Sequence, residues 1–471
     1  MRPPQHQIFV GDVREQLRQF PDGSVQCFCT SLPYWQLRSY GKGAPGQIGL
    51  EPTFDEWIEE SVAIFRDVRR TLRADGTLFL NCGQSFAGSR SFQGTSAGTD
   101  GAFARRANRL GEMSSGSRPE GPVSPKTPEG DDAFARRDVR QGGLGHKLAE
   151  GFKSGDLIQQ GPLLAEALRR DGWVLRASII WCKNSLPESV TTRPSINYEF
   201  IFQFSKSVKP QFWIHEGGRG TRRKPEPDYV WNDRATKRDL DYEPLGWREK
   251  EQFEGRPRFA RRNLWEGKSY FYDRDAVREE SGANLRAVWF VPNQPFPGKH
   301  FAVFPAAIPQ LCYKAGASAG GCCPSCAAPR WPLVEEGERD AEWQRECGGD
   351  EDGEYDGEST KDHDEEGVQD ASAVKARILA GMVRREVKGW FPTCDCPAAE
   401  PIPCLVGDPF LGSGRSGRAA MDLGLDFAGV ELVPEYAAMA EQNISDPEWE
   451  KRERARIKSE KAAAKAAGGT T

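Results

Sequence analysis

No apolar run in these 471 residues approaches the ~20 that a membrane-spanning helix requires, so a soluble protein is expected. Met1-Arg2-Pro3-Pro4 lacks the apolar core of a signal peptide, and twelve cysteines over this length do not make a disulfide framework. Both absences point to a reducing, intracellular setting. The chain has no excess of positive charge either, and a net charge of -5 argues against a uniformly basic nucleic-acid binder. The total hides an asymmetry: acidic residues dominate residues 334–370, whereas Arg clusters lie at Arg105-Arg106, Arg136-Arg137, Arg222-Arg223-Lys224 and Arg261-Arg262. Aliphatic residues almost vanish from residues 87–145, so a mobile Gly/Ser/Arg-rich loop is expected there. Within it Ala-Phe-Ala-Arg-Arg occurs at residues 102–106 and again at 133–137, with a partial copy at 259–262. Two Arg beside a Phe suit phosphate contact plus base stacking; a chance repeat in low-complexity sequence is the alternative.

What is present has an α/β rhythm, in one large domain with insertions or in two to three domains. Residues 8–12 form a short strand ending in Gly-Asp, residues 13–20 have helical spacing, and residues 25–29 form a buried strand. Asp12 either faces the ligand crevice at a strand end or caps the helix. A helix over residues 53–72 carries a Thr53/Glu56 capping box, and a turn at Ala74-Asp75-Gly76 leads to a strand over 77–81. A helix over 156–170 and strands over 174–181 and 200–204 follow. In residues 205–286 Trp and Tyr interleave with Arg, as on a nucleic-acid face or in a small aromatic core. Residues 449–471 form a charged helical tail.

Three stretches carry chemistry. In Thr30-Ser31-Leu32-Pro33-Tyr34-Trp35, just past a strand, a hydroxyl, a proline and two aromatics can hold a planar heterocycle by its exocyclic amine. In Asp408-Pro409-Phe410-Leu411-Gly412-Ser413-Gly414 a strand ends in an acid and a Gly-rich turn follows. The next strand ends in Glu431, at the spacing of roughly 20 residues where a carboxylate can accept both ribose hydroxyls. The third is a pair of thiol clusters, Cys323-x-x-Cys326 and Cys394-x-Cys396, able to close a tetrahedral zinc site. Cys322, Cys347 and Cys404 are spare candidates, and unligated reduced cysteines are the alternative.

Ser31-Leu32-Pro33-Tyr34 resembles the catalytic tetrapeptide of DNA methyltransferases that modify the exocyclic nitrogen of cytosine or adenine, with Leu32 in place of the first proline. Asp408 to Gly414 resembles that family's S-adenosylmethionine motif, and its position after the tetrapeptide matches the β group of motif orders. The resemblance implies a Rossmann-like α/β methyltransferase sheet with permuted motif order, an inserted target-recognition region and a small Cys-rich insertion. It divides the chain into a catalytic half (1–86), the loop (87–145), continued core (146–206), target recognition (207–290), a cofactor-closing segment (291–320), the Cys-rich acidic insertion (321–400), the cofactor-binding half (401–446) and the tail (447–471). It assigns catalysis to Ser31, Leu32, Pro33 and Tyr34, with Trp35 as a second stacking ring. It assigns S-adenosyl-L-methionine to Asp12, His300, Phe304, Asp408, Phe410, Gly412, Gly414 and Glu431; the zinc site at Cys323, Cys326, Cys394 and Cys396 rests on the spacing of the two pairs, and similar phage and bacterial sequences carry a paired-cysteine insertion at the same place. Arg415-Ser416 replaces the family's usual Thr-Thr, and Gln84 stands where relatives often carry Asp. The partner expected is double-stranded DNA, with no membrane and with a cytoplasmic location in a bacterial or phage-infected cell. The expected reaction is site-specific, in a restriction-modification setting, with Ser31 favouring cytosine N4 over adenine N6. A catalytically degenerate DNA-binding relative is the other reading. No signal specifies an oligomeric state.

Overall fold

The carboxyl ends of five parallel strands converge on one crevice, and the sheet is best followed from there. The computed structural model describes residues 1–37, 39–40, 44–87, 152–153, 155–184, 192–206, 214–216, 221–223, 270–278, 284–298, 303–336, 385–394 and 396–467. Its main sheet has eight strands: β1 (His6–Val10), β2 (Val25–Ser31), β3 (Leu72–Cys82), β4 (Val174–Cys182), β5 (Tyr198–Ser205), β6 (Val288–Phe290), β7 (Leu405–Asp408) and β8 (Asp426–Glu431). The spatial order is β1-β8-β7-β2-β3-β5-β4-β6. Neighbours run parallel from β1 through β3, β5 is antiparallel to both β3 and β4, and β6 is parallel to β4. The permuted order expected from the sequence is thus realised in space, because β7 and β8 come last in the chain and lie between β1 and β2.

Side-chain alternation assigns the two faces. Phe28 of β2, Leu78 and Leu80 of β3 and Val430 of β8 join one core with Trp57, Phe65 and Leu168. Cys27, Cys29, Phe79 and Phe427, one position out of phase, join the other with Ile308, Tyr313, Ala420 and Ile444. The first face is covered by α1 (Val13–Gln16), α2 (Phe54–Thr71) and α3 (Gln160–Arg170). The second is covered by α4 (Ala307–Gly316), α5 (Arg415–Asp422) and α6 (Pro434–Ser445). Full burial of each large apolar side chain contributes roughly 1.5–3 kcal/mol. The capping box of α2 forms as its sequence requires: Glu56 N donates to Thr53 Oγ1 at 3.2 Å and Thr53 N to Glu56 Oε2 at 2.9 Å. A last helix, α7 (Trp449–Ala467), follows α6.

Two local expectations are corrected. Ala74-Asp75-Gly76 is no turn between elements but a bulge inside β3: Val25 pairs with Leu72, and Cys27 already pairs with Thr77. Arg73 and Asp75 form an ion pair across the bulge, so its polar side chains are satisfied without breaking the strand. The helix expected from residue 156 begins only at Gln160, because Leu157 and Ile158 pair with Ser85 and Phe86 in a short ribbon. The two Ala-Phe-Ala-Arg-Arg repeats, His300, most of residues 207–290 and most of the acidic stretch lie outside the described residues. Among the described residues no helix is long and apolar enough to cross a membrane.

Candidate active site

The crevice is a cavity of about 500 Å³. One end is lined by Gly11, Phe410, Leu411, Gly412, Glu431, Leu432, Val433 and Tyr436; the other by Ser31, Leu32, Pro33, Tyr34, Asn81, Trp181, Lys183 and Glu199. Two of the three stretches singled out in the sequence therefore open into one chamber of the size that holds small ligands.

At the first end, Gly414 follows the turn with φ 80, and a Cβ there would lie 2.8 Å from Ala440 Cα, so only glycine lets α5 start this close to α6. Glu431 accepts the backbone N–H of Gly412 at 2.8 Å through Oε2 and that of Val433 at 2.9 Å through Oε1. Burial, reinforced by Asp408, pushes its carboxyl up to about 7. Each oxygen retains acceptor capacity, which suits paired hydroxyl donors. Asp408 has a different place from the one expected. It is buried beneath the turn and does not line the cavity; Thr30 Oγ1 and Ser416 Oγ each donate to it at 2.6 Å and Phe410 N donates at 3.0 Å. Burial raises its carboxyl to about 6 against these three donors. Asp408 thus binds the end of β2 to the cofactor-type turn. Ser416, one of the two residues that stand in place of the usual Thr-Thr, supplies one of the donors.

Asp12 is also engaged elsewhere. Its side chain caps α1, accepting Arg14 N at 2.9 Å, and pairs with the Arg14 guanidinium at 2.6 Å. Burial acts to raise its carboxyl, but the Arg14 hydrogen bonds outweigh it and hold the group below the usual range. Its neighbours Gly11 and Val13 line the cavity.

At the second end the loop after β2 is fixed without its first proline. The Leu32 side chain is buried in the core, Trp57 Nε1 donates to Pro33 O at 3.1 Å, and Trp35 N donates to Gln160 Oε1 at 2.8 Å. Trp35 does not face the chamber as a second stacking ring. It is buried edge-on against Phe54, and its Nε1 donates to Glu51 O at 2.9 Å. Tyr34 remains on the wall, its hydroxyl donating to Glu199 Oε2 at 2.9 Å. Burial and the neighbouring Glu199 carboxylate push its phenol well up, so the ring stays neutral. Asn81 Nδ2 donates to the same Glu199 oxygen at 3.0 Å, and Lys183 pairs with Oε1 while lying 4.7 Å from the Trp181 ring centroid.

The sequence assigned no site role to Asn81, Lys183 and Glu199, which come from three strand ends, although the stretch from Lys183 to Glu199 follows a strand end where open α/β sheets bind ligands. Nor did the sequence assign a role to Arg415. That side chain is buried, and Glu450 accepts from Nε at 2.7 Å and from Nη2 at 2.9 Å. Gln294 O and Phe304 O accept from Nη1 at 2.9 and 3.2 Å, and Pro295 O accepts from Nη2 at 2.9 Å. The segment around Phe304, expected to close over the cofactor, is thereby tied to α5 and α7, and Phe304 lines the cavity.

A mostly parallel sheet with a Gly-rich turn, a carboxylate at the next strand end and a Ser-x-Pro-Tyr loop on the same chamber defines the class of S-adenosylmethionine-dependent amino-methyltransferases. The DNA methylase family model for N6 and N4 methyltransferases matches residues 25–323, and the chain belongs to that family. It is 33% identical over 321 residues to Type II methyltransferase M.SmaI of Serratia marcescens, covering 67% of this chain and 76% of the relative. It is 31% identical over 319 residues to Type II methyltransferase M.Cfr9I of Citrobacter freundii, covering 66% and 73%. A solved PvuII DNA methyltransferase, cytosine-N4-specific, is similar at 12% identity and a TM-score of 0.42 over 93% of this chain and 88% of that one, too distant to bear on the site. The protein is accordingly an S-adenosylmethionine-dependent DNA methyltransferase of the amino-modifying family.

Proposed function

We propose that the enzyme transfers a methyl group site-specifically to N4 of a cytosine flipped out of double-stranded DNA. The observation that carries this reading is the single chamber with Glu431 and the glycine turn at one end and Ser31, Pro33 and Tyr34 at the other. S-adenosylmethionine would supply an electrophilic methyl group on a sulfonium. For that cofactor, Glu431 would accept the ribose hydroxyls, Gly412 and Phe410 would flank the nucleoside, and Phe304 would lie toward the methionine end. At the base end, Tyr34 would stack on the extruded ring, an exchange that offsets part of the few kcal/mol of unstacking. The Ser31 hydroxyl and the Leu32 carbonyl would accept the two amino hydrogens, keeping the nitrogen lone pair directed at the methyl group. Transfer would then be direct, with positioning as the main source of acceleration.

Two features favour cytosine. Ser31 occupies a position where adenine-modifying relatives more often carry Asp or Asn. Lys183, oriented by Glu199 on the same wall, has further N–H donors to offer. Cytosine presents two adjacent acceptors, N3 and O2, on its pairing edge beside the amine, whereas adenine's pairing edge presents only N1 and its other acceptor, N7, lies on the opposite side of the amine. The test is incubation with duplex DNA and methyl-labelled cofactor, followed by nucleoside analysis. N4-methylcytosine is expected; N6-methyladenine would overturn the base, and unlabelled DNA from a cofactor-binding protein would overturn catalysis in favour of a degenerate binder. Ser31→Ala should lower transfer at least about 100-fold with cofactor affinity unchanged, and full activity in that variant would refute the assigned role.

A further inference from the structure

The methyltransferase chemistry makes no use of the paired cysteines, and none of them lines the cavity. The fold nevertheless brings Cys323, Cys326, Cys394 and Cys396 together, their four Sγ atoms all within 4.8 Å of one another. We infer that these four thiols bind one zinc ion that serves as a structural clasp on the cofactor-binding half of the sheet.

Geometry and ligand chemistry carry the inference. Zinc–thiolate bonds of about 2.3 Å in a tetrahedron place the sulfurs about 3.8 Å apart, so the four need move only a little to close on an ion. A cluster of several irons would hold its thiolates farther apart than this group allows, and an all-sulfur set is too soft for calcium or magnesium. The surrounding backbone has the form of a ligand knuckle: Cys323 N donates to Ala328 O at 2.9 Å, and Ala327 N donates back to Cys323 O at 2.8 Å. The two pairs are far apart in sequence but meet because strands Trp331–Glu336 and Arg385–Phe391 form an antiparallel ribbon with Trp331 opposite Phe391. Both pairs sit at that end of the ribbon, while residues 337–384 leave from the other. Thr393 Oγ1, donating to Pro329 O at 2.6 Å, ties the arms again. Of the spare thiols, Cys322 instead approaches Pro403 O at 3.6 Å, and Cys347 lies outside the described residues.

The position of the knuckle explains its use. The Cys322 backbone pairs with Ile402 on both sides, through bonds of 2.8 and 3.1 Å, three residues before β7 begins at Leu405. Arg73 Nη1, from the bulge in β3, donates to Cys326 O at 2.8 Å. The ion would therefore fix the amino-terminal end of β7 against β3, and the cofactor-type turn leaves from the opposite end of the same strand.

The test uses the full chain, purified without chelator or added metal, and elemental analysis with mercurial-triggered release to a colorimetric zinc indicator. Close to one zinc per chain is expected, falling to near zero in Cys326→Ser and Cys396→Ser and unchanged in Cys182→Ser. Should the serine variants fail to fold, chelator-treated wild type titrated with cobalt supplies the second readout. A four-thiolate tetrahedral absorption spectrum, displaced by one equivalent of zinc, supports the site. Metal-free protein that takes up no zinc or cobalt, stoichiometric iron in place of zinc, or folded Cys396→Ser protein with full zinc content would each overturn it.

Discussion

Removing the Arg415 side chain should loosen two parts of the molecule together. All five of its N–H donors are engaged: two reach Glu450, and three reach the carbonyls of Gln294, Pro295 and Phe304. The guanidinium side chain is 1% exposed and the Glu450 carboxylate 18%, so Arg415→Ala leaves a largely buried carboxylate with only its second partner, the half-exposed Arg454 at 2.8 Å. Stranding a buried charge outright costs about 3–5 kcal/mol, and with Arg454 still paired the cost should be about 2–3 kcal/mol. For a cooperative unit of this size the midpoint should fall by roughly 4–10 °C. The same substitution frees the segment carrying Phe304 from α5, so cofactor affinity should also fall, by about tenfold or more if ordering that segment costs 1.4 kcal/mol or more on binding. Urea unfolding and calorimetric titration with S-adenosylmethionine give the two numbers. The double variant Arg415→Met/Glu450→Met should recover much of the stability, because the one charge it leaves unpaired, on Arg454, is half exposed to solvent, without recovering the affinity. A loss below about 1 kcal/mol in the single variant, with affinity unchanged, would refute the reasoning.

The remaining expectations concern the cavity. Glu431, pushed up to about 7 by burial, is partly protonated at neutral pH; the carboxylate is the better acceptor of ribose hydroxyls, so cofactor affinity should rise with pH through about 7 and binding should release protons. The same raised value makes its contribution to the stability of the cofactor-free protein largest below its ordinary carboxyl range. That contribution, about 3 kcal/mol at about 1.4 kcal/mol per pH unit, is lost as pH rises toward 7, and Glu431→Gln should flatten both profiles. Gly414→Ala should destabilise by at least about 1 kcal/mol and weaken cofactor binding, since it forces a side chain into positive φ against Ala440, as denaturation and titration would read. Lys183→Met should raise KM for DNA or lower kcat by about tenfold with cofactor affinity unchanged; unaltered kinetics would remove it from base recognition.

Legibility in the sequence varied with the range of the interaction. The capping box at Thr53, the strand ending in Glu431 and the loop after β2 were visible because each is set by residues within a few positions of one another. Asp408 illustrates the limit. The sequence placed it correctly at a strand end, but its partner Thr30 lies 378 positions away, and only that contact makes it a buried tie and not a wall of the cavity. Trp35 beside Tyr34 likewise looked like a second stacking ring until Phe54 and Glu51 claimed it.

The sequence by itself determined the class of chemistry and the kind of sheet. Ser31, Pro33, Tyr34, the glycines of the turn and Glu431 stand in stretches that short-range pattern alone marks out. Tertiary structure alone decided the insertion of β7 and β8 between β1 and β2, the meeting of Asn81, Lys183 and Glu199 behind Tyr34, the five-fold engagement of Arg415 and the gathering of two distant cysteine pairs. Those arrangements depend on which strands pair and which helices cover them, a choice made by burial over the whole chain, and local propensity carries no record of it.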